Sequence, residues 1–189
     1  MSNHIVQFAD IEKAHSRINE AVFKTPCPES AALSDLCGCR VFCKLEYLQR
    51  TGSFKERGAC NALLSLPQQQ RQQGVVTASA GNHALALATH GRRLQIPVTV
   101  VMPRFAPLIK QQRCSQHGAN VVLCGETFTE ARTKANEIAA AKNLTYVHGY
   151  DDPAVIAGQG TLGLEIIEQV PEADAVIVPI GGGGLIAGV

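Results

Sequence analysis

The chain has 189 residues, 46% of them hydrophobic and 17% charged, with a formal net charge of +1. This balance suits a globular protein able to bury a core. It offers no basic footprint for nucleic acid and no apolar run long enough to cross a membrane, so a small neutral or zwitterionic partner is expected.

Taken in order, Asp10 reads as the N-cap of a first helix with Ile11, Ala14, Ile18 and Ala21 at helical spacing, stopped by Pro26 and Pro28. The first ten residues lack the basic start and apolar core of a signal peptide, which predicts a cytoplasmic protein. A short second helix starts at Ser30, carries Leu33 and Leu36 on one face and ends at Gly38. The seven cysteines are an odd set, expected as reduced core thiols. Cys37, Cys39 and Cys43 lack the matching downstream pair of a metal site. From Arg40 to Glu46, Val41, Cys43 and Leu45 alternate with Phe42 and Lys44 and predict a strand leading into Thr51-Gly-Ser-Phe-Lys-Glu-Arg-Gly58.

Within that stretch Ser53 and Glu56 have the spacing of a capping box, which starts a helix at Phe54 and runs it through Ala59, Ala62 and Leu63 to Pro67. Lys55 then falls in the first helical turn at a strand-to-helix junction. The positive end of the helix dipole and burial both favour its neutral amine, a nucleophile. A solvated surface lysine and a Ser53/Lys55 hydrolytic dyad are the alternatives from the residues alone.

The polar run Gln68 to Gln73 marks a boundary. Beyond it, Val75–Ala78, Val98–Val101, Asn120–Leu123 and Thr145–Val147 are short β-rich runs separated by helix-length segments, the pattern of a parallel sheet with helices on its faces. Start signals are Asn82, Pro107 at the first helical position, and Thr127 with Glu130 as a capping box; Gly118 ends the second helix. On the third helix Phe128, Ala131, Ala135 and Ile138 share a face, and Glu130 and Lys134 form an i, i+4 pair. Asp152-Pro153 opens a further, largely buried helix whose Gly158, Gly160 and Gly163 call for close packing or a nearby ligand. Ala175 to Pro179 reads as a buried strand, followed by Gly181-Gly-Gly-Gly184 and the start of another helix. Backbone N–H groups there fit a phosphate, although Gly182, Gly184 and Ala187 also match a dinucleotide fingerprint.

In this order, Ser53-Phe54-Lys55, Ser79-Ala80-Gly81-Asn82-His83 and Gly181-Gly182-Gly183-Gly184-Leu185 resemble the three signatures of the fold-type II pyridoxal-phosphate enzymes, in particular threonine/serine dehydratases and serine racemase. The resemblance runs from Phe8 to Val189. It implies an α/β fold of two open, mainly parallel αβα domains: a large cofactor domain from residues 1–73 and 151–189, incomplete here, and a small inserted domain at 74–150. It also implies a chain that is the N-terminal portion of a longer homo-oligomeric enzyme and binds the cofactor poorly by itself. The partner of the pyridine nitrogen and a divalent-cation site would lie past Val189.

The implied cofactor is pyridoxal 5′-phosphate, with Lys55 as its covalent anchor and later the base for the substrate α-proton, and Phe54 against the ring face. Asn82 meets the ring hydroxyl, and the glycine run with Leu185 holds the phosphate. Ser79 to His83 grips the carboxylate of a small amino acid, with His83 as structural support or backbone donor rather than catalytic base. The residue-level alternative for Asn82 is an ordinary helix cap. Elimination from L-threonine or L-serine to a 2-keto acid and ammonia is the implied reaction. Racemase relatives place a serine hydroxyl where this chain has Ala80, so dehydration is expected over racemisation. His4, His15, His90, His117 and His148 show no pairing pattern and read as incidental.

Overall fold

The structure, a computed structural model, describes residues 5–189; His4 lies outside them. Eight α-helices and four strands follow in the order α1 (Phe8–Ile18), α2 (Ala31–Cys37), α3 (Lys55–Ser65), α4 (Gln68–Gln73), β1 (Val75–Ala78), α5 (Asn82–Leu94), β2 (Val98–Met102), α6 (Leu108–Gln116), β3 (Asn120–Leu123), α7 (Phe128–Lys142), β4 (Thr145–Tyr146) and α8 (Pro153–Gln169). All four strands are parallel, in the order β3-β2-β1-β4. The expected four β-rich runs are therefore the sheet, with β2 one residue longer and β4 one residue shorter than read.

Period-two alternation divides this sheet between two layers. Val75, Val98, Val100 and Met102 face a core shared with Ala59 and Leu63 of α3, Ala84 and Leu87 of α5, and Cys114 of α6. Val76, Ala78 and Val101 face the other way onto Ala131 and Ala135 of α7. Phe128, expected on that buried face, is 48% exposed because it stands at the first position of α7, clear of the sheet. Helix α3 thus joins the sheet core on one side and packs on α8 on the other, while α1 packs on α8.

Two of the three α8 glycines are explained by this packing, whereas a Cβ on Gly163 would meet only ordinary contacts, 3.4 Å from Val189. A Cβ on Gly158 would lie 2.7 Å from the Arg57 carbonyl oxygen and the Gly58 Cα, and one on Gly160 would lie 2.7 Å from the Gly188 carbonyl oxygen and 2.9 Å from Ile11. Close helix approach, rather than a ligand, requires them.

Several local expectations are corrected. Gln7, not Asp10, caps α1, with the Asp10 side chain reaching back to the Gln7 N–H at 3.0 Å. Helix α5 is capped by Gly81 with Asn82 as its first residue, and Pro107 is the cap of α6 rather than its first residue. The polar run at Gln68 is itself helical. Lys134 pairs with Glu137 at 2.9 Å, because the Glu130 carboxylate accepts from the Glu126 N–H instead.

Arg40–Glu46 is extended and bonds back to residues 26–30, with Cys43 N–H donating to the Pro28 carbonyl at 3.0 Å, yet makes only one isolated bridge, Glu29 to Phe42. A 3-10 turn, Glu46–Leu48, then separates it from α3, so Lys55 does not follow a strand directly. Ala175–Pro179 forms no strand: among the described residues no neighbour pairs with it, and Ile177 is 97% exposed. After the glycines the chain makes a single helical turn, with Ala187 N–H donating to the Gly183 carbonyl at 3.0 Å. All seven cysteines are free; Cys60 and Cys114 are buried but Cys37 and Cys39 are exposed, so not all serve the core.

Candidate functional site

Strands β2 and β3 lie to one side of β1 and β4 to the other, so the chain direction across the sheet switches at β1. Ligands of open parallel sheets bind at such a switch, outside the carboxyl ends of the strands. The segments leaving β1 and β4 there are residues 79–81 and 147–152, and both carry chemistry.

Lys55 opens α3, and its amine donates to the Gly149 carbonyl at 2.5 Å. Burial holds this amine below lysine's ordinary value. Its nitrogen stands 5.3 Å from the centre of the Phe54 ring. Phe54 in turn packs on Leu162, Ile166 and Leu185, so the lysine stretch and the end of the glycine run share one apolar cluster.

The expected capping box is absent. Ser53 Oγ is buried without a hydrogen-bond partner, and the fully buried Glu56 carboxylate instead accepts from the Thr51 N–H at 2.9 Å and the Thr51 hydroxyl at 3.1 Å. Burial raises the Glu56 carboxyl, but His90 and Thr51 outweigh it and hold it below the ordinary value. His90 Nε2 lies 3.3 Å from Glu56 Oε1, so this histidine is not incidental. Because Lys55 bonds Gly149 and not Ser53, the Ser/Lys dyad has no geometry here.

On the β1 side, Ser79 Oγ accepts from the Gly81 N–H at 3.2 Å, folding the loop tightly, and α5 begins with no side-chain cap. The first N–H groups of a helix lack internal partners and sit at its positive end, so Asn82 and His83 present donors to an anion. Asn82 is exposed, and Ser79, Ala80 and Gly81 are half-buried. The His83 side chain is buried, with Nε2 3.3 Å from the Val147 carbonyl and Nδ1 unpartnered. Burial first, then the nearby Lys55, push it down to about 4, so it is neutral and Nε2 donates.

Residues 148–150, between β4 and α8, had no signal in the sequence and link the three motifs. The Gly149 carbonyl receives Lys55, and the His83 ring lies 3.4 Å from where a Gly149 Cβ would stand. The Tyr150 ring and backbone lie against Gly182 and Gly184. His148 Nδ1 accepts from the Asp151 N–H at 2.9 Å, and its ring meets Tyr150 edge-on at 4.5 Å. Gly181 and Gly183 face open space, with Gly183 at φ 88°.

These residues fit pyridoxal phosphate on structural grounds: an amine depressed by burial, buried polar atoms without partners at Ser53 and His83, an uncapped helix start, and glycines with free faces.

The family model described as "Pyridoxal-phosphate dependent enzyme" matches residues 18–189, and the chain belongs to that family. The chain is 45% identical to the L-threonine ammonia-lyase of Thermotoga maritima over 185 residues, 98% of this chain and 46% of that one. It is 47% identical to a catabolic L-threonine dehydratase of Staphylococcus aureus, over 98% and 54%. Thus it spans about half the length of the curated relatives it matches. Among solved structures, the serine racemase of Dictyostelium discoideum aligns with TM-score 0.93 at 40% identity, over 98% of this chain and 60% of that one. The threonine deaminase isoform 2 of Solanum lycopersicum aligns with TM-score 0.89 at 41% identity, over 96% and 52%. The mainly parallel α/β fold of the pyridoxal-phosphate enzymes is thereby shown, with a large part of those chains outside the matched region.

Proposed function

We propose that the protein is a pyridoxal-phosphate dependent ammonia-lyase that converts L-threonine or L-serine to a 2-keto acid and ammonia. The observation that carries this reading is the half-buried Lys55 amine, held below its ordinary value at the edge where the 79–83 loop and the glycine run also meet residues 147–150.

In this reading Lys55 is the covalent anchor for the cofactor's aldehyde carbon, and its free neutral amine takes the substrate α-proton. Phe54 packs on the ring, Asn82 binds its hydroxyl, and Gly181, Gly182, Gly183, Gly184 and Leu185 hold the phosphate through backbone N–H groups. Ser79, Ala80, Gly81, Asn82 and His83 form the carboxylate site at the uncapped start of α5. The bound cofactor supplies an electron sink. Gly149 keeps the lysine amine at the site through its carbonyl, and neutral His83 avoids adding a second cation beside it.

The reading includes a large domain of residues 1–73 and 151–189 and a small one of 74–150. It is supported by a sheet lying wholly within residues 75–146 and by the packing of α3 on α8 from opposite ends of the sequence. Unpaired cysteines support a reducing, cytoplasmic setting, and exposed apolar side chains such as Leu36 and Phe105 are surfaces a homo-oligomer would cover. No helix among the described residues is long and apolar enough to cross a membrane.

Racemisation is the second reading, carried by the serine racemase likeness. Ala80 weighs against it, since a methyl group at the loop cannot exchange a proton with the substrate's opposite face.

The test is Lys55→Ala in the protein that carries this sequence. It is expected to abolish both the visible absorbance that develops on adding pyridoxal phosphate and the release of ammonia from L-threonine. Retained ammonia release would overturn the proposal.

A further inference from the structure

The four consecutive glycines are not equivalent. A Cβ added at Gly182 would lie 2.3 Å from Cγ and Cδ1 of the Tyr150 ring, and one at Gly184 would lie 2.6 Å from the Tyr150 carbonyl oxygen and 2.8 Å from its Cα. Real Cβ atoms do not approach that closely, so both positions exclude any side chain while Tyr150 is in place. At Gly181 and Gly183 nothing lies within 4 Å. One residue therefore touches alternate members of the run and leaves the others open.

Tyr150 is 37% exposed, and its backbone and ring are tied to His148. Its N–H lies 3.4 Å from His148 Nδ1, the following Asp151 N–H donates to the same nitrogen at 2.9 Å, and the two rings meet at 86°. The preceding Gly149 carbonyl is engaged by Lys55. The glycine run thus packs on a segment whose other contacts reach the lysine.

We propose that Tyr150 is a positioning residue for phosphate binding: by packing on Gly182 and Gly184 it sets the glycine run in the shape in which the free sides of Gly181 and Gly183 receive the cofactor's phosphate. This rests on the function proposed above and adds a residue that none of the three motifs contains. The ring's bulk does the work, so its hydroxyl is dispensable. Gly182 is then required by Tyr150, whereas Gly181 is required by the phosphate.

The experiment uses pyridoxine 5′-phosphate and pyridoxine, which lack the aldehyde and bind without reacting with Lys55, titrated calorimetrically into the protein that carries this sequence. The ratio of their Kd values reports the phosphate site alone. Tyr150→Ala is expected to lower the preference for the phosphorylated compound by about tenfold or more, within the roughly hundredfold that a 1 Å misplacement can cost. Tyr150→Phe stays within about twofold of the unmodified chain on the same ground, because the packing surface is kept. Gly182→Ala lowers the preference in the Tyr150 background but causes no further loss once Tyr150→Ala is present, while Gly181→Ala lowers it in both backgrounds. An unchanged preference in Tyr150→Ala, or additive losses for Gly182→Ala and Tyr150→Ala, overturns the inference. Should Tyr150→Ala fail to fold, Tyr150→Leu takes its place in the cycle, with the same outcomes. No preference in the unmodified protein would instead defeat the functional proposal itself, and Tyr150's role with it.

Discussion

Arg57→Ala tests what holds the lysine stretch in place. Arg57 lies two residues after Lys55 on α3, and its side chain is fully buried. Its guanidinium donates to Glu46 from Nε and Nη2, both at 2.8 Å, and to Glu165 from Nη1 at 2.6 Å and Nη2 at 2.8 Å. Burial opposes this charge, but the hydrogen bonds to Glu46 and Glu165 outweigh it and hold the group above its ordinary value. Truncation leaves Glu165 with Lys44, at 2.5 Å, as its only cation among the described residues, and leaves Glu46 with the Thr25 hydroxyl and Gln49. Removing one partner of a buried pair costs about 3–5 kcal/mol, a large part of the roughly 5–15 kcal/mol that stabilises a domain.

The deficit depends on pH. In the native chain burial raises the Glu165 carboxyl, yet Arg57 and Lys44 outweigh it and hold it below the ordinary value. That depressed group contributes stability above its unfolded value, and the contribution is lost as pH falls through the folded value. Without Arg57 only Lys44 opposes burial, so the folded carboxyl takes up its proton more readily than in the native chain and loses less on acidification, and the deficit narrows from about pH 7 toward about pH 3, across the ordinary carboxylate range. Urea unfolding of both proteins at the two pH values measures this. A loss under about 1 kcal/mol, or one equal at both pH values, would refute the reasoning.

Other expectations concern packing and chemistry. Gly158→Ala gains about 1 kcal/mol of helix propensity but drives a methyl group into the Arg57 and Gly58 backbone, so a net loss of about 1–2 kcal/mol is expected in urea unfolding; a stabilised variant would contradict it. Competitive acetylation of the cofactor-free chain, read by peptide mass spectrometry, should give Lys55 a midpoint below the ordinary lysine value of about 10.4; a midpoint at or above that value would remove the argument from burial. Ala80→Ser is expected to raise D-isomer formation measurably by chiral chromatography, and substantial D-serine from the unmodified protein would mean another group serves that face.

The sequence was most readable where an element is completed by its near neighbours. The N-caps Ser30, Thr127 and Asp152 were evident because the cap bonds run only two or three residues along the chain. The four strands from Val75 to Tyr146 were evident because each finds its partner within the same 72-residue stretch. Ala175–Pro179 has the same apolar composition, but a strand exists only through pairing, and no described segment pairs with it. The Ser53/Glu56 box failed for a different reason: the Glu56 carboxylate is drawn into a buried site with Thr51 and His90, and local spacing contains nothing about His90 on another helix.

The same limit explains why the three motifs were readable as chemistry while their connection was not. Lys55, the α5 start and the glycine run each follow a local rule about where a helix begins or a backbone donor is free. What brings them together is His148-Gly149-Tyr150, a connection of ordinary residues whose roles depend on groups 32 to 94 positions away in the chain. Glycine shows the point most sharply. Gly158 and Gly160 are demanded by neighbouring backbone, Gly182 and Gly184 by Tyr150, and Gly183 by its own φ of 88°, while Gly181 has open space around it. In the sequence all six look alike, since each is only the absence of a side chain, and the reason for an absence lies in whatever occupies the space.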